Sequence, residues 1–338
     1  MGSTRKRKRR RRRSWRAGAG LRRTIAIVAA LLLAAFAFVI EYHGGQGGIP
    51  TWSELYTTLG VPTDGPDAQL LADSRTTVSV LDVGQGDAVL IGQDGQYCLI
   101  DTGTSESQDA LVRSLRQANV TELDYLILTH PHADHTGGAL AILENLQVEE
   151  LLLPVWITED GTDPWPHGLL EQAAADGTIV TEVEEGERYA LGSGTVNILQ
   201  GGSAWMENAD DANNGSLCLL FEAGTFRYLA TGDAEEASEQ ALVDRYGTGL
   251  ASVLYKAGHH GSSTSSGETL LSVVRPQAAA ISCGVDNEYG HPNAAALRRL
   301  TDIGAEIYRT DTMGTVTFTY ENGVLSAVTS REELDAAA

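Results

Sequence analysis

Cysteine is scarce in this sequence, which argues against a disulfide framework and against cysteine as a metal ligand. Cys98, Cys218 and Cys283 are the only three in 338 residues, and each lies inside an apolar, strand-like run. Three is an odd number, and none stands at a metal-ligand spacing, so we interpret them as small buried hydrophobes. A disulfide framework is therefore not expected, and any metal site has to be built from histidine and carboxylate ligands.

Positive charge is scarce outside the first 23 residues. Residues 1–23 hold 12 of the 24 lysines and arginines and no acidic residue, which leaves 12 basic against 45 acidic residues and a formal net charge of −33 for the remainder. A body this acidic repels a polyanion over most of its surface. Any phosphate chemistry must therefore depend on local positive charge, such as bound metal ions.

Long apolar runs are scarce as well, with one exception near the amino terminus. Residues 24–40, TIAIVAALLLAAFAFVI, form an uncharged run of 17 residues behind the basic tail. We predict a single-pass transmembrane helix over 24–40 with residues 1–23 in the cytoplasm, because positive charge favours the cytoplasmic side. Everything after Glu41 is then expected outside the cytoplasm. The alternative is a signal peptide whose cleavage releases a secreted protein.

The remaining chain alternates short β-like runs with helical ones. Residues 41–76 show little periodicity and are predicted to be a linker, 77–325 to form one domain, and 326–338 a C-terminal tail. The strands fall into two groups with helices between them, and 305–320 is predicted to be a closing strand pair. This order favours two sheets packed face to face, with helices on the outer faces.

One short stretch is dense in metal-ligand residues. Residues 126–138, LILTHPHADHTGG, place His130, His132, Asp134 and His135 directly after an apolar strand, in a chain with eight histidines. His130 and His132 can hold one divalent ion, and Asp134 with His135 can hold a second one nearby. A polar loop with satisfied histidines is the alternative, and the density of ligands argues against it.

Two later strands also end in ligand-type residues. LATGD ends at Asp233, and KAGHHGS carries His259 and His260 where its apolar run stops. An aspartate between two ions can bridge them, and one more histidine can complete the second site. Asp233 alone would more often be a helix N-cap, so its interpretation as a ligand depends on the other two stretches.

These motifs resemble the metallo-β-lactamase superfamily, and within it the hydrolase domain of the ComEC-type competence proteins. The similarity covers about residues 77–320 and implies an α+β fold, the αββα four-layer sandwich. Eight stretches carry it in the family's order: LDVGQGDAVLI (81–91), CLIDTG (98–103), LILTHPHADHTGG (126–138), NNGSLCLLF (213–221), LATGD (229–233), KAGHHGS (256–262), YGHPN (289–293) and RTDTMGTVTF (309–318).

The resemblance implies a centre with two divalent metal ions, zinc or manganese. The implied ligands are His130 and His132 at the first ion, Asp134 and His135 at the second, Asp233 between them, and His259 or His260 as the last ligand. His259 is favoured because it is nearer the strand end. Asp134 and His291 are the residues expected to act in catalysis, His291 by steadying a substrate oxygen or protonating the leaving group.

The resemblance also assigns residues around the ligands. Asp101 is expected to hold a ligand imidazole in its tautomer, with a turn-forming role as the alternative. The wider superfamily has a further histidine before the bridging aspartate, and Asn213 or Asn214 stands there in this sequence, with Asp210 and Asp211 as rivals. Fewer nitrogen ligands would favour the harder Mn²⁺ over Zn²⁺. Asp82 and Asp87 are interpreted as turn formers and buried acceptors.

Three functions remain open from the sequence. The first is a membrane-anchored phosphodiesterase or DNA nuclease outside the cytoplasm, with a DNA-uptake channel as partner, as the ComEC resemblance implies. The second is a hydrolase of another extracellular ester: a phosphorylcholine ester, a lactone or a thioester. The third is a non-catalytic, metal-stabilised binding module. Against DNA stands the acidic body, in which Lys256 is the only basic residue adjoining a ligand stretch.

Overall fold

The chain divides into two compact units, Met1–Leu59 and Gly60–Ala338. The computed structural model describes residues 30–40, 49, 65–66, 68–156, 158, 164–206 and 211–331. In the first unit, residues 30–40 are helical. The basic tail and residues 24–29 of the predicted membrane segment lie outside the described residues. Among the helices that are described, none combines the length and the apolar character that a membrane crossing requires.

Two mixed β-sheets build the second unit. The eight-stranded sheet has the order β15-β14-β1-β2-β3-β4-β5-β6, with β1 Thr76–Val80, β2 Val89–Gln93, β3 Gln96–Ile100, β4 Glu122–Ile127, β5 Gln147–Pro154, β6 Ile179–Val183, β14 Val316–Glu321 and β15 Val324–Thr329. The seven-stranded sheet has the order β13-β12-β11-β10-β9-β8-β7, with β7 Arg188–Leu191, β8 Gly194–Gln200, β9 Cys218–Ala223, β10 Phe226–Ala230, β11 Leu254–Lys256, β12 Ala278–Ile281 and β13 Glu306–Arg309.

Helices cover the outer face of each sheet. They are α1 Ala68–Asp73, α2 Gln108–Gln117, α3 Ala133–Thr136, α4 Ala139–Asn145, α5 Leu169–Asp176, α6 Glu236–Tyr246, α7 Glu268–Val274, α8 Ala294–Asp302 and α9 Thr310–Met313. Three apolar cores separate the layers: one joins the first sheet to α2, α4 and α5, one lies between the sheets, and one joins the second sheet to α6, α7 and α8. The predicted four-layer αββα sandwich is confirmed.

Strand alternation explains how a sheet contributes to two cores at once. In β4, Leu126 packs in the core with the helices, whereas the next residue, Ile127, packs between the sheets. In β9, Leu220 faces the second helical layer and Phe221 faces the first sheet. Successive side chains of a strand point to opposite faces, so strands buried on both faces appear in the sequence as continuous apolar runs.

The end of the domain differs from the sequence prediction. Residues 305–320 contain β13 and β14, but these strands are not a pair: β13 is parallel to β12 in one sheet, and β14 is antiparallel to β1 in the other. The short helix α9 carries the chain between the sheets. The other neighbour of β14 is β15, which is also antiparallel to it and continues to Thr329, past the predicted boundary at 325. Inside the predicted linker, α1 is helical.

Candidate metal centre

The ligand-type residues follow strands that end at the same edge of each sheet. In the first sheet β3 and β4 are parallel, and Asp101 and His130 lie just beyond their carboxyl ends. In the second sheet β10 and β11 are parallel, and Asp233 and His260 follow them in the same way. Because carboxyl ends of parallel strands meet at one edge, four distant parts of the sequence converge there.

Three buried imidazoles are fixed through the same ring atom. Nδ1 of His130 lies 3.1 Å from Thr129 Oγ1 and 3.2 Å from Ser216 Oγ, Nδ1 of His135 lies 2.8 Å from Asp101 Oδ2, and Nδ1 of His260 lies 3.1 Å from the carbonyl oxygen of Ser282. With Nδ1 held in this way, each ring turns its Nε2 toward Asp233. An outer partner on one ring nitrogen is the usual arrangement for histidines that bind metal through the other.

Asp233 lies between the imidazoles. Its Oδ1 is 3.2 Å from Nε2 of His135, and its Oδ2 is 3.9 Å from Nε2 of His130 and 3.7 Å from Nε2 of His260. The carboxylate is buried, and its position is set by a hydrogen bond from its backbone N–H to Ser216 Oγ at 3.0 Å. A carboxylate with histidines on two sides has the placement that bridging of two cations requires.

The remaining two predicted ligands complete the groups on each side. His132 Nδ1 is 3.0 Å from Nε2 of His130, and Asp134 Oδ2 is 3.2 Å from Nε2 of His260. Among the described residues, potential ligand atoms cluster within 4.8 Å of one another in three sets that all include His135. They are His130–His135–Asp233, Asp134–His135–His260 and Asp87–Asp101–His135. The structure therefore brings the predicted HxHxDH residues, Asp233 and the histidine pair into one centre.

Unpartnered polar atoms test whether these residues fit divalent ions. Nε2 of His135, Nε2 of His260, Oδ1 of Asp233 and Oδ1 of Asn213 are buried and have no hydrogen-bond partner. Buried polar atoms are nearly always paired, and an unpaired one costs about 1–3 kcal/mol. Nitrogen and oxygen ligands converging in this way suit Zn²⁺ or Mn²⁺, and a bound cation would satisfy them together.

The electrostatics of the centre also favour a cation. Burial works against a charged imidazole, but the carboxylates of Asp233 and Asp87 raise the pKa of His260 to about 10. Burial likewise works against the Asp134 carboxylate, yet the contact between its Oδ2 and the His260 ring lowers its pKa to about 2. Burial lowers the pKa of His130 well below its usual value, which leaves the neutral ring that binds metal. Negative charge is thus concentrated where positive charge is required.

The structure distinguishes the two adjacent histidines. Both have positive φ angles, +49° for His259 and +54° for His260, so the chain turns sharply between their side chains. The ring of His260 is buried against Asp134, whereas the His259 side chain is 22% exposed, with Nε2 3.7 Å from Asp233 Oδ2 and Nδ1 3.4 Å from Glu235 Oε1. Sequence position favoured His259 as the last ligand. The geometry favours His260.

The segment after His260 is clamped from two sides. The carboxylate of Glu239 accepts hydrogen bonds from the backbone N–H groups of Ser266 and Gly267, at 2.6 and 2.8 Å. The guanidinium of Arg299 donates to the carbonyl oxygens of Ser263, Ser265 and Ser266, at 3.1, 2.7 and 2.8 Å. This clamp stabilises a segment whose two histidines carry left-handed backbone strain.

Replacement of Arg299 by alanine tests the clamp. We expect Arg299→Ala to lower the free energy of unfolding of the metal-free protein by about 2 kcal/mol, because charge-assisted hydrogen bonds to three carbonyl oxygens are lost. The measurement is denaturant unfolding. Arg298→Ala is the matched control, since Arg298 is the exposed neighbour on the same helix, and it should change stability by less than about 0.5 kcal/mol. Equal effects of the two variants would contradict the clamp.

Two aspartates support the ligand histidines from outside. Asp101 accepts hydrogen bonds from Thr129 N and Oγ1, both at 2.8 Å, while its other contact holds His135. Asp87 is buried between Lys256, whose Nζ donates to it at 2.9 Å, and Nδ1 of His260 at 3.3 Å. The predicted role of Asp101 agrees with this geometry.

Sequence reasoning missed the Lys256–Asp87 pair. Asp87 was interpreted as a turn former and acceptor without a link to the histidines, but it lies behind His260. The available signal was a lysine inside the apolar run SVLYKAG, because a buried lysine requires a buried anion. Asp82 has the predicted turn role: it accepts from the N–H of Gly84 at 3.2 Å and pairs with Arg331 at 2.8 Å.

Asn213 and Asn214 have different roles. Asn214 is a structural link: its Nδ2 donates to Asp211 Oδ1 at 2.8 Å and its Oδ1 accepts from the N–H of Glu235 at 3.1 Å. Asn213 lines the metal cavity with its buried Oδ1. The wider superfamily has a histidine near this position, and here Asn213 is better placed than Asn214 to take its role, because Asn213 lines the cavity. The rival Asp210 lies outside the described residues.

A cavity of about 330 Å³ opens over the centre. Its lining residues are Gln85, His132, Ala133, Asp134, Asn213, Asp233, His259, His260, Tyr289 and His291. His291 is half-buried, its Nδ1 is buried without a hydrogen-bond partner, and burial lowers its pKa. None of these lining residues is lysine or arginine, so in the described part of the chain the wall supplies no fixed positive charge besides the histidines.

Comparison with known proteins agrees with the four-layer fold. The family model for the metallo-beta-lactamase superfamily matches residues 81–285. This chain belongs to that superfamily. Its metallo-β-lactamase domain is therefore that of a metal-dependent hydrolase, and the resemblance noted from the motifs is confirmed.

Among curated proteins, the chain is similar to competence proteins. It is 32% identical over 269 residues to ComE operon protein 3 of Bacillus subtilis, covering 74% of this chain and 34% of that protein. It is 32% identical over 286 residues to competence protein ComA of Neisseria gonorrhoeae, covering 83% of this chain and 37% of that protein. The chain thus spans about a third of the length of these curated relatives.

Among solved structures, CmlA, a diiron β-hydroxylase from Streptomyces venezuelae, has a similar fold. The TM-score is 0.51 at 17% sequence identity, and the match covers 81% of this chain and 60% of CmlA. At this identity the likeness shows the fold alone. It agrees with the metallo-β-lactamase sandwich and says nothing of substrate.

Proposed function

We propose that this metallo-β-lactamase hydrolase is a two-metal phosphodiesterase that cleaves DNA. The observation that carries the proposal is the position of Asp233, whose two carboxylate oxygens face different imidazoles of a buried histidine cluster. Paired divalent ions suit phosphodiester hydrolysis because they stabilise both the attacking and the leaving oxygen of an in-line displacement.

We assign the ligands to two sets on either side of Asp233, which would bridge them. His130 and His132 would form one set, and Asp134, His135 and His260 would form the other, because Asp233 Oδ2 lies 3.9 Å from Nε2 of His130 and its Oδ1 lies 3.2 Å from Nε2 of His135. Bound divalent ions would supply Lewis acidity and lower the pKa of water, which gives a nucleophile near neutral pH. The side chains hold their geometry before substrate arrives, because Nδ1 of the buried rings is already fixed.

His291 is the protein group placed to act on the substrate. It lines the cavity 5.6 Å from His259 and 6.3 Å from His260, measured between ring centroids. It belongs to neither ligand set, and its buried Nδ1 has no hydrogen-bond partner. In the proposed reaction the ring steadies a non-bridging oxygen or donates a proton to the leaving oxygen.

Support for DNA as the substrate comes from the names of the relatives. Two are named as competence proteins, and a further one, of Haemophilus influenzae, is named recombination protein 2. The residues given above as lining the cavity include no lysine or arginine, so a phosphodiester bound there would depend on the metal ions for its positive charge.

We also propose where the protein is located in the cell. Residues 1–23 are strongly basic and 24–40 are apolar, which supports a single membrane anchor with the hydrolase domain outside the cytoplasm. A DNA-uptake channel is the proposed partner, since the curated relatives are about three times as long as the match to this chain. A released, secreted form is the alternative that the same segment allows.

Cleavage assays with the full chain test the function. We expect hydrolysis of a single-stranded oligonucleotide and of methyl p-nitrophenyl phosphate in the presence of Mn²⁺ or Zn²⁺, and its loss in His132→Ala. His167→Ala is the matched control, because His167 is exposed and does not line the cavity. Hydrolysis of a lactone, a thioester or p-nitrophenyl phosphorylcholine without cleavage of the oligonucleotide would contradict the proposal.

A further inference from the structure

An exposed aromatic ring lies at the mouth of the metal cavity. Tyr289 lines the cavity, yet 71% of it is exposed. Its ring lies against that of His291, with centroids 5.8 Å apart and planes 24° apart. His291 stacks in turn on His260, at 6.3 Å and again 24°. Tyr289 is therefore the outermost of three roughly parallel rings that begin at a metal-ligand histidine.

The loop that presents Tyr289 is pinned at its base. Asn287 Nδ2 donates to the carbonyl oxygens of Gly284 and His291, at 2.9 and 2.6 Å, and its Oδ1 accepts from the N–H of His291 at 2.9 Å. Gly290 adopts a φ of +69°, which closes the turn behind Tyr289. Because one side chain joins both ends of the loop, the backbone that carries Tyr289 is held in place before any ligand arrives.

An exposed aromatic ring offers a flat apolar face, which suits a ligand with a flat face or a cationic headgroup. A nucleobase offers a flat face, and stacking on an aromatic side chain contributes about 1–3 kcal/mol per base whatever the base. A choline headgroup is recognised by a cage of several aromatic rings. Tyr289 is the only tyrosine, tryptophan or phenylalanine among the residues given above as lining the cavity, so this region forms a platform and not a cage.

We propose that Tyr289 is a stacking platform for a nucleobase of a single-stranded nucleic acid whose phosphodiester lies at the metal centre. The inference rests on the proposed function and names its substrate class. Stacking replaces the phosphate contacts that the acidic wall cannot make. Since both faces of a base are covered inside a duplex, only an unstacked base can use the platform, which selects single strands.

The platform has a consequence for salt dependence. Binding through lysine and arginine falls steeply with salt, because phosphate neutralisation releases counterions. Binding through one stacked base and a metal-held phosphate should show a shallow dependence.

The test compares an oligonucleotide that carries all of its bases with one that lacks the bases near the scissile position. Two short single-stranded oligonucleotides are used, one natural and one with abasic residues flanking the scissile position. The full chain in Mn²⁺ is compared with Tyr289→Phe, Tyr289→Ala and Val324→Ala, the last a matched control because Val324 is an exposed apolar residue outside the cavity. Affinity is measured by fluorescence anisotropy and cleavage as KM and kcat.

If Tyr289 is a stacking platform, the protein should prefer the natural strand to the abasic strand, and this preference should depend on the aromatic ring at position 289. The wild type, Tyr289→Phe and Val324→Ala should bind the natural strand about tenfold more tightly than the abasic strand, and Tyr289→Ala should lose that preference through KM and not kcat. An unchanged preference in Tyr289→Ala would overturn the inference. So would Tyr289-dependent competition by phosphorylcholine with no base preference. If the base preference is present in binding but no strand is cleaved, the platform stands and the phosphodiesterase proposal fails.

Discussion

Replacement of Asp233 by asparagine is expected to lower hydrolysis by on the order of 10³-fold or more, the largest loss of any single substitution in the protein. Asparagine keeps the shape of the side chain but removes the negative charge that faces His130, His135 and His260. It also replaces one of the two carboxylate oxygens with an NH₂ group, which cannot bind a metal ion. Since Asp233 lies between the two proposed ligand sets, its loss should weaken the binding of both metal ions at once.

Two measurements distinguish a loss of catalytic activity from a loss of the folded structure. Activity on methyl p-nitrophenyl phosphate is measured over a range of Mn²⁺ concentrations, and the fold is followed by circular dichroism. Asp302→Asn is the matched control, because Asp302 is exposed on α8. A folded Asp233→Asn protein that keeps activity within about tenfold of the wild type, or an equal loss in Asp302→Asn, would be incompatible with a bridging carboxylate.

Substitution of the adjacent histidines should give unequal effects. His260→Ala removes a buried ring whose Nε2 faces Asp134 and Asp233, and it leaves the Asp87 carboxylate with one partner fewer. We expect loss of activity by about 10²–10³-fold and loss of one metal equivalent. His259→Ala removes a partly exposed ring at the cavity edge. It should keep both ions and lose no more than about tenfold in activity.

The comparison of His259→Ala with His260→Ala uses metal content and activity together. Each variant serves as the control for the other, since they share a strained segment and differ in the direction of the side chain. A larger loss of metal in His259→Ala than in His260→Ala would show that the ring at the strand end is the ligand, as sequence position suggested.

Much of the centre could be predicted because its candidate ligands are local. His130, His132, Asp134 and His135 lie within six residues after an apolar strand, and the structure places all four at the centre. The four-layer fold could also be predicted, since strands buried on both faces have continuous apolar runs. Both features depend on short-range patterns, which sequence records directly.

What could not be predicted depends on long-range or conformational facts. The choice between His259 and His260 depends on two successive residues with positive φ, which no residue type announces. The Lys256–Asp87 contact joins positions 169 residues apart. No regular alternation marks the edge strand β6 in the sequence, because its first two residues, Ile179 and Val180, are both exposed. Exposure of Tyr289 at the cavity mouth is visible only once the loop is placed.

Anomalous diffraction from crystals of the Mn²⁺-loaded protein, recorded at the manganese edge, would locate the bound ions. We expect two peaks about 3.5–4 Å apart, one on either side of the Asp233 carboxylate. One peak should be near His130 and His132, and the other near Asp134, His135 and His260. A single peak, or a peak held by Asp87 and Asp101 in place of Asp233, would contradict a two-metal centre bridged by that residue.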